Sequence, residues 1–259
     1  KNNLGVLEDC AQCFLAKDSK NRLAGTIGDI GSWSFESSKH ISTSEGGILT
    51  TNNPMLAEKM RKFGSLGFKN LTASSGKVRI DKDKFQDPNW LRHDRLSYNY
   101  RMSEICAAVG LAQVEQLKKF VKRRIIAGMS FYNLIRRSGT KLLIPQKTPK
   151  EYTHSYFTFA AVFNGSKKGI QWQEFREKFM SYGGDGIYAA WKTVDEEIPF
   201  KEARENGLVS GSAKIAKSYG WGETPIAHKL QKNMMQFTTN QKNNSEIKKQ
   251  INALRKTLL

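Results

Sequence analysis

From Leu4 to Gly64, short apolar runs alternate with turn and helix signals, and this alternation narrows the possible folds more than any other feature. "LGVLED" reads as a short buried strand that ends in two carboxylates, Glu8 and Asp9. "CAQCFLA" reads as the start of a helix, "GDIGSWSF" as a turn and a strand, and "GGILTT" as a further strand. "PMLAEKMRKFGSLG" carries proline in its first turn and glycine at its end, the punctuation of a helix. Strands interleaved with helices predict an α/β fold rather than an all-β one. With 259 residues the chain can bury a real core in one or two domains.

Residues 70–95 are polar and without period, which predicts a long loop, a common home for functional residues. From Ser103 a long helix is expected. Ile105, Val109 and Ala112, then Val114, Leu117, Val121 and Ile125, recur at helical spacing as one apolar stripe, to about Ile135 and a stop at Gly139. Beyond Gly139 the composition changes. "YFTFAAVF" is a strand, "WQEFREKFMSYGG" a helix closed by glycines, "GIYAAW" a strand or turn, and "SEIKKQINALRKTLL" a terminal amphipathic helix. The expected organisation is therefore a first domain over 1–139 and a smaller α+β domain over 140–259.

The net charge of +18 comes from 42 Lys and Arg against 24 Asp and Glu, spread along the chain. "KKFVKRR" is the densest cluster and lies inside the long helix pattern. No nucleic-acid motif accompanies it, so the charge reads as a solvated basic surface and no nucleic-acid partner is expected. No apolar run reaches the roughly 18 residues of a membrane span, so no membrane partner is expected either. Three cysteines are too few for a disulfide scaffold. Cys10 and Cys13 form a C-x-x-C whose placement at a helix start would lower a thiol pKa. A zinc site would need two more ligands at suitable spacing, which Cys106 and four scattered histidines do not offer. The pair reads as small apolar residues, with no metal, and the expected compartment is the cytoplasm.

"SWSFESSKHISTSEGG" places one amine, Lys39, between small hydroxyl residues and a glycine pair. Pyridoxal phosphate asks its protein for an amine to join its aldehyde and a carboxylate to keep its ring nitrogen protonated. It also asks for hydroxyl and amide donors around its phosphate. Lys39, Asp9 and Ser34 are of the right types. Taken singly, Lys39 can equally be a surface lysine, and Asp9 a helix cap.

"EDCAQ", "GDIGSWSFESSKHISTSEGGILTTN", "SYNYRMSEICAAVGLAQVEQL" and the "RR" just downstream resemble, in order and spacing, the DegT/DnrJ/EryC1/StrS family. These are pyridoxal-phosphate enzymes that transaminate nucleotide-linked keto-sugars. The resemblance covers most of residues 4–135 and extends more loosely to "GGDGIYAAWK" and "TPIAHKLQKNMMQFTTN". It implies part of an aspartate-aminotransferase-like (fold type I) large domain plus a smaller α+β C-terminal domain. It also implies glutamate as amino donor, a nucleotide-diphosphate keto-sugar as acceptor, and a homodimer with shared sites. By resemblance, Lys39 matches the lysine that joins the cofactor aldehyde and then moves the proton. Asp9 matches the partner of the ring nitrogen, Gln12 a contact of the ring's phenolic oxygen, and Ser34 a phosphate ligand. Asn99 matches the asparagine that reaches the neighbouring subunit's phosphate. Arg101 lies in the same motif, as a salt-bridge residue or a substrate contact. Tyr188 and Trp191 face the sugar or pack in the core.

The wording departs from the family at Cys10 and Cys13, where alanines are usual, at Ser44, where glycine is usual, and at His40, where asparagine or threonine is common. His40 is expected to pack or cap. The family's N-terminal part, with its phosphate-cradling turn and ring-stacking aromatic, is expected to be missing from this chain. Two further readings stay open: a dehydratase of the same family, which carries histidine where the lysine belongs, and a non-catalytic homologue.

Overall fold

The computed structural model describes residues 2, 4–206 and 224–259. They form two compact units. One holds the chain up to Ile125 together with Thr148–Phe157, and the other holds Ile126–Lys147 and the chain from Thr158 onward.

In the first unit, β1 (Leu7–Asp9), β2 (Ile30–Ser34) and β3 (Gly47–Thr50) form a sheet in that order. β1 and β2 run parallel, with Asp9 opposite Ser32, and β2 and β3 antiparallel, with Ser34 opposite Gly47. The carboxyl ends of β1 and β2 and the start of β3 therefore share one end of the sheet. Glu8 fixes the return between the parallel strands: its carboxylate accepts the N–H groups of Gly25 (2.7 Å), Ile27 and Gly28 (both 2.6 Å). Burial would raise its pKa, but those three donors outweigh it and hold it below the usual carboxylate range.

Gly25 has φ +82°, and a Cβ there would stand 2.1 Å from the Trp33 ring. Gly25→Ala is expected to cost about 2–4 kcal/mol in urea unfolding, from left-handed strain plus overpacking. A loss under about 1 kcal/mol would show that Trp33 yields freely.

Three helices come next: α1 (Pro54–Phe63), α2 (Lys82–Gln86) and α3 (Glu104–Ser138). The Asn53 side chain accepts from the N–H groups of Met55 and Leu56 and caps α1, and Gly139 (φ +65°) ends α3, as the sequence predicts. The expected loop between α1 and α3 is largely irregular apart from α2. Its return is tied to α1 by Lys62, buried at 7% exposure, whose Nζ meets Asp94 at 2.7 Å and Glu58 at 2.9 Å.

"LGVLED" forms a strand, but an exposed one rather than the buried one expected, with Leu7 61% exposed, and a second expectation fails. "CAQCFLA" is a run of turns, not a helix. Leu15 adopts φ +58°, and Phe14 is drawn into a core with Phe35, Ile41 and Val121. Burying that ring outweighs continuing the helix. The apolar stripe of α3 is also only half buried: Val121 is 2% exposed, but Ile105 is 79% and Val114 49% exposed.

The second unit holds β4 (Leu143–Pro145), β5 (Thr158–Phe163), β6 (Ile187–Ala189) and β7 (Met234–Thr238), ordered β4-β5-β7-β6 and antiparallel throughout. Its helices are α4 (Trp172–Ser181), α5 (Ile198–Asn206), α6 (Pro225–Gln231) and α7 (Asn244–Leu258), with α4 packed on α7. Phe159, Ala161 and Phe163 of β5 and Met235 and Phe237 of β7 alternate inward, the period of a half-buried strand. β7, which the sequence pattern does not mark as a strand, supplies the central ring, Phe237.

Candidate functional site

Asp9 ends β1, and Ser34 ends β2, with Lys39 in the turn beyond it. Parallel register sets Asp9 opposite Ser32, with Ser34 two residues further along β2, so both lie at the carboxyl ends of neighbouring strands, where open α/β sheets hold ligands. Asp9 is exposed, and one of its oxygens accepts the Ala11 N–H at 3.1 Å. The Ser34 hydroxyl oxygen accepts the Glu36 N–H at 3.2 Å, leaving its proton to donate. Gln12 is exposed in the turn just after Asp9.

The turn that presents Lys39 is built by Glu36. Its carbonyl accepts the Lys39 N–H at 3.0 Å, and its carboxylate takes both hydroxyls of Ser37 and Ser38 and the Ser38 N–H. Those hydroxyls, Ser37 first, pull its pKa down to about 2. Gly46 and Gly47 close the segment. Gly46 lies at φ +139°, and a Cβ on Gly47 would stand 2.7 Å from the Trp33 carbonyl oxygen, so β3 can approach β2 only without one. Ser44, where the family has glycine, sits at φ +71°, a conformation glycine adopts without strain.

Lys39 is half-buried. Its Nζ lies 5.1 Å from the centre of the Phe157 ring and has no ion pair or hydrogen bond among the described residues. Phe157 belongs to the segment 148–157, which returns to the first unit through paired hydrogen bonds between Lys17 and Thr153, 3.0 Å each way. Arg124 of α3, 8% exposed, donates to the Phe157 carbonyl at 2.8 Å and to the Lys39 carbonyl at 3.3 Å. Sequence reasoning assigns nothing to Phe157 and marks Arg124 only as part of "RR".

His40 packs, as expected. It is 4% exposed, its ring rests between Phe14 and Phe157 at 5.9 Å from each, and Nε2 meets the Ser155 carbonyl at 3.1 Å. Its Nδ1 is buried without a partner. Burial first, then the Arg124 charge, pushes its pKa down to about 4. Between pH 6.5 and 4 the unfolded chain therefore binds a proton that the folded chain refuses, so stability falls as pH falls through that window. Wild type should lose about 3 kcal/mol more between pH 7 and 4 than His40→Gln does in parallel urea titrations. Equal slopes would show that His40 charges in place.

The C-x-x-C departs from its low-pKa alternative. With no helix start beside it, Cys10 is pushed up to about 12 by burial, by its hydrogen bond with Cys13 and by nearby negative charge, and burial raises Cys13 as well. Neither thiol is activated.

Asn99 and Arg101 lie elsewhere on the first unit. Asn99 is exposed and bridges Ser65 through the backbone, while its side-chain oxygen accepts the Arg101 N–H at 3.4 Å. Arg101 forms no ion pair among the described residues. It lines an open groove of about 1330 Å³ with Lys59, Arg61, Arg95 and Glu45, four cations against one carboxylate. Asp9, Gln12, Ser34 and Lys39 are not in its walls. In the second unit Tyr188 is 58% and Trp191 91% exposed, so neither packs in the core.

No described helix is long and apolar enough to cross a membrane. The GDP-perosamine synthase of Escherichia coli O157:H7 is 34% identical over 155 residues, 60% of this chain and 36% of that protein. The lipopolysaccharide biosynthesis protein RfbH of Salmonella typhimurium is 32% identical over 169 residues, 61% of this chain and 38% of its own length. The chain thus spans between a third and two-fifths of these relatives. An aminotransferase from Psychrobacter cryohalolentis superposes with a TM-score of 0.74 at 22% identity, over 97% of this chain and 61% of that one. The E. coli GDP-4-keto-6-deoxy-D-mannose-3-dehydratase, solved with hydrated PLP, gives 0.72 at 21% identity, over 100% of this chain and 61% of the enzyme. These likenesses show a partial fold type I architecture. Residues 1–189 match the DegT/DnrJ/EryC1/StrS aminotransferase family, and the chain belongs to it.

Proposed function

We propose that the protein transfers an amino group from glutamate to a nucleotide-diphosphate-linked keto-sugar, using pyridoxal phosphate held at the carboxyl ends of β1 and β2. The observation that carries this reading is that Asp9 and Ser34 close the neighbouring parallel strands β1 and β2 at the same end of the sheet, with the unpaired amine of Lys39 in the next turn. These groups fit the cofactor's chemistry. When bound, pyridoxal phosphate supplies an aldehyde that takes up an amine and a ring that withdraws electrons from the adjacent carbon. Lys39 would hold the cofactor through its amine and would be the base that carries the proton. Asp9 offers its carboxylate to the ring nitrogen, Gln12 its amide to the phenolic oxygen, and Ser34 its hydroxyl proton to the phosphate. The groove of four cations at Arg101 suits a diphosphate, and the exposed rings of Tyr188 and Trp191 suit a sugar face. GDP-perosamine synthase among the relatives makes a GDP-linked keto-sugar the first acceptor to assay. We read 1–139 as the cofactor-binding part and 140–259 as the small domain, acting in the cytoplasm in polysaccharide or amino-sugar synthesis.

Adding pyridoxal phosphate, reducing with borohydride and mapping the peptides should place the adduct on Lys39. An adduct scattered over surface lysines would defeat the reading. The dehydratase alternative is favoured by the solved dehydratase neighbour. His40 does not supply its histidine, because that ring is buried against Ser155. An aminated product, rather than a deoxygenated one, decides between them.

The working unit in this reading is a homodimer with shared sites. Leu96 (99% exposed), Tyr100 (68%) and Ile105 (79%) leave apolar surface uncovered around Asn99 and Arg101, as an interface would. Mixing a Lys39→Ala subunit with an Asn99→Asp subunit should restore part of the activity. One pocket of the mixed dimer then collects both lesions and the other is intact. Proven subunit exchange without regained activity would refute sharing.

A further inference from the structure

We propose that Arg124 is a positioning residue that sets the direction of the Lys39 amine, acting through Phe157 as a common platform. The guanidinium carbon lies 5.6 Å from the centre of the Phe157 ring, and Lys39 Nζ lies 5.1 Å from that same centre. Arg124 also donates from Nη1 to the Phe157 carbonyl and from Nη2 to the Lys39 carbonyl. One buried side chain thus holds the main chain of Lys39, the main chain of Phe157 and the ring on which the amine rests. His40 completes the clamp, since its ring packs on Phe157 and its Nε2 is tied to Ser155 in the same returning segment.

Lys39 sits in an exposed turn held mainly by Glu36, and four rotatable bonds separate its amine from its Cα. Without a second anchor that amine would sample many directions, and reaction rates fall steeply when a nucleophile is misplaced by an ångström. A planar guanidinium can hold two carbonyls and stack on a ring at once; a lysine ammonium cannot hold that fork. Arg124 touches no reacting atom in this arrangement. Its effect passes through Lys39 and Phe157.

The inference rests on the reading of Lys39 as the amine that joins pyridoxal phosphate, and the test separates the two. Wild type and Arg124→Lys are exposed to limiting pyridoxal phosphate and reduced with borohydride, and the rate of labelling at Lys39 is compared with that at Lys248 and Lys249 of the terminal helix. Thermal melts run beside them. If wild type shows no preference for Lys39, the underlying reading fails. If it does, Arg124→Lys should keep a cooperative melt and label Lys39 roughly 10- to 100-fold more slowly, with the other lysines unchanged. Unchanged Lys39 labelling in that variant overturns the positioning role. Reductive 13C-methylation of wild type gives a reading that needs no variant: the Lys39 methyl signals should be displaced upfield by the Phe157 ring current. The displacement should vanish in Phe157→Leu, which keeps both carbonyl acceptors. Undisplaced Lys39 methyl signals in wild type overturn the proposal even if Arg124→Lys does not fold.

Discussion

Lys39→Ala should leave the protein folded and abolish its borohydride-trapped adduct with pyridoxal phosphate. The side chain is half-buried and makes neither an ion pair nor a hydrogen bond among the described residues, so its removal costs little stability. Its backbone N–H still reaches Glu36, and its carbonyl still receives Arg124. Chemistry suffers far more. Loss of a positioned general base alone costs roughly 10²–10⁴-fold, and here the same amine is also the nucleophile. A mass-mapped adduct that persists at another single lysine, or turnover within tenfold of wild type, would reassign the role. Asp9 and Ser34 would then mark a ligand site without its amine.

Phe237→Ala should be the most destabilising change in the second unit, by about 3–5 kcal/mol. The ring is 1% exposed at the centre of an aromatic cluster, with centroids 5.2 Å from Phe131, 5.6 Å from Phe179 and 6.1 Å from Phe159. Truncation loses its burial and also leaves three rings facing a void, which α3, α4 and β5 cannot all close upon. Since a domain holds only about 5–15 kcal/mol in total, the second unit of the variant should be close to unfolding at 37 °C. Phe237→Leu, which refills most of the volume, should recover more than half of the loss. Urea transitions of the two variants give the comparison. A cost below about 1.5 kcal/mol for the alanine variant would mean that the cluster collapses on itself.

The sequence by itself determined the α/β class, the three strands of the first sheet, the extent of α1 and α3, and the order Asp9–Ser34–Lys39. Each of these is written in neighbours: proline and glycine punctuate α1, Gly139 ends α3, and Gly47 admits β3 against β2. Strand ends are local too, so the residues that close β1 and β2 came to the same end of the sheet once the strands paired in parallel. Tertiary structure decided what local signals could not carry. The helix pattern of "CAQCFLA" lost to the burial of Phe14, and with it went the electrostatic ground for an activated Cys10. The stripe on α3 was legible as one apolar face, but periodicity does not say what covers a face, and Ile105 and Val114 remain uncovered. Arg124 and Phe157 stood far from Lys39 in the chain, one inside a basic run and the other within an apparent strand. Only chain closure brings the guanidinium, the ring and the amine together, because a long-range contact depends on how two distant segments pack and leaves no mark at either one.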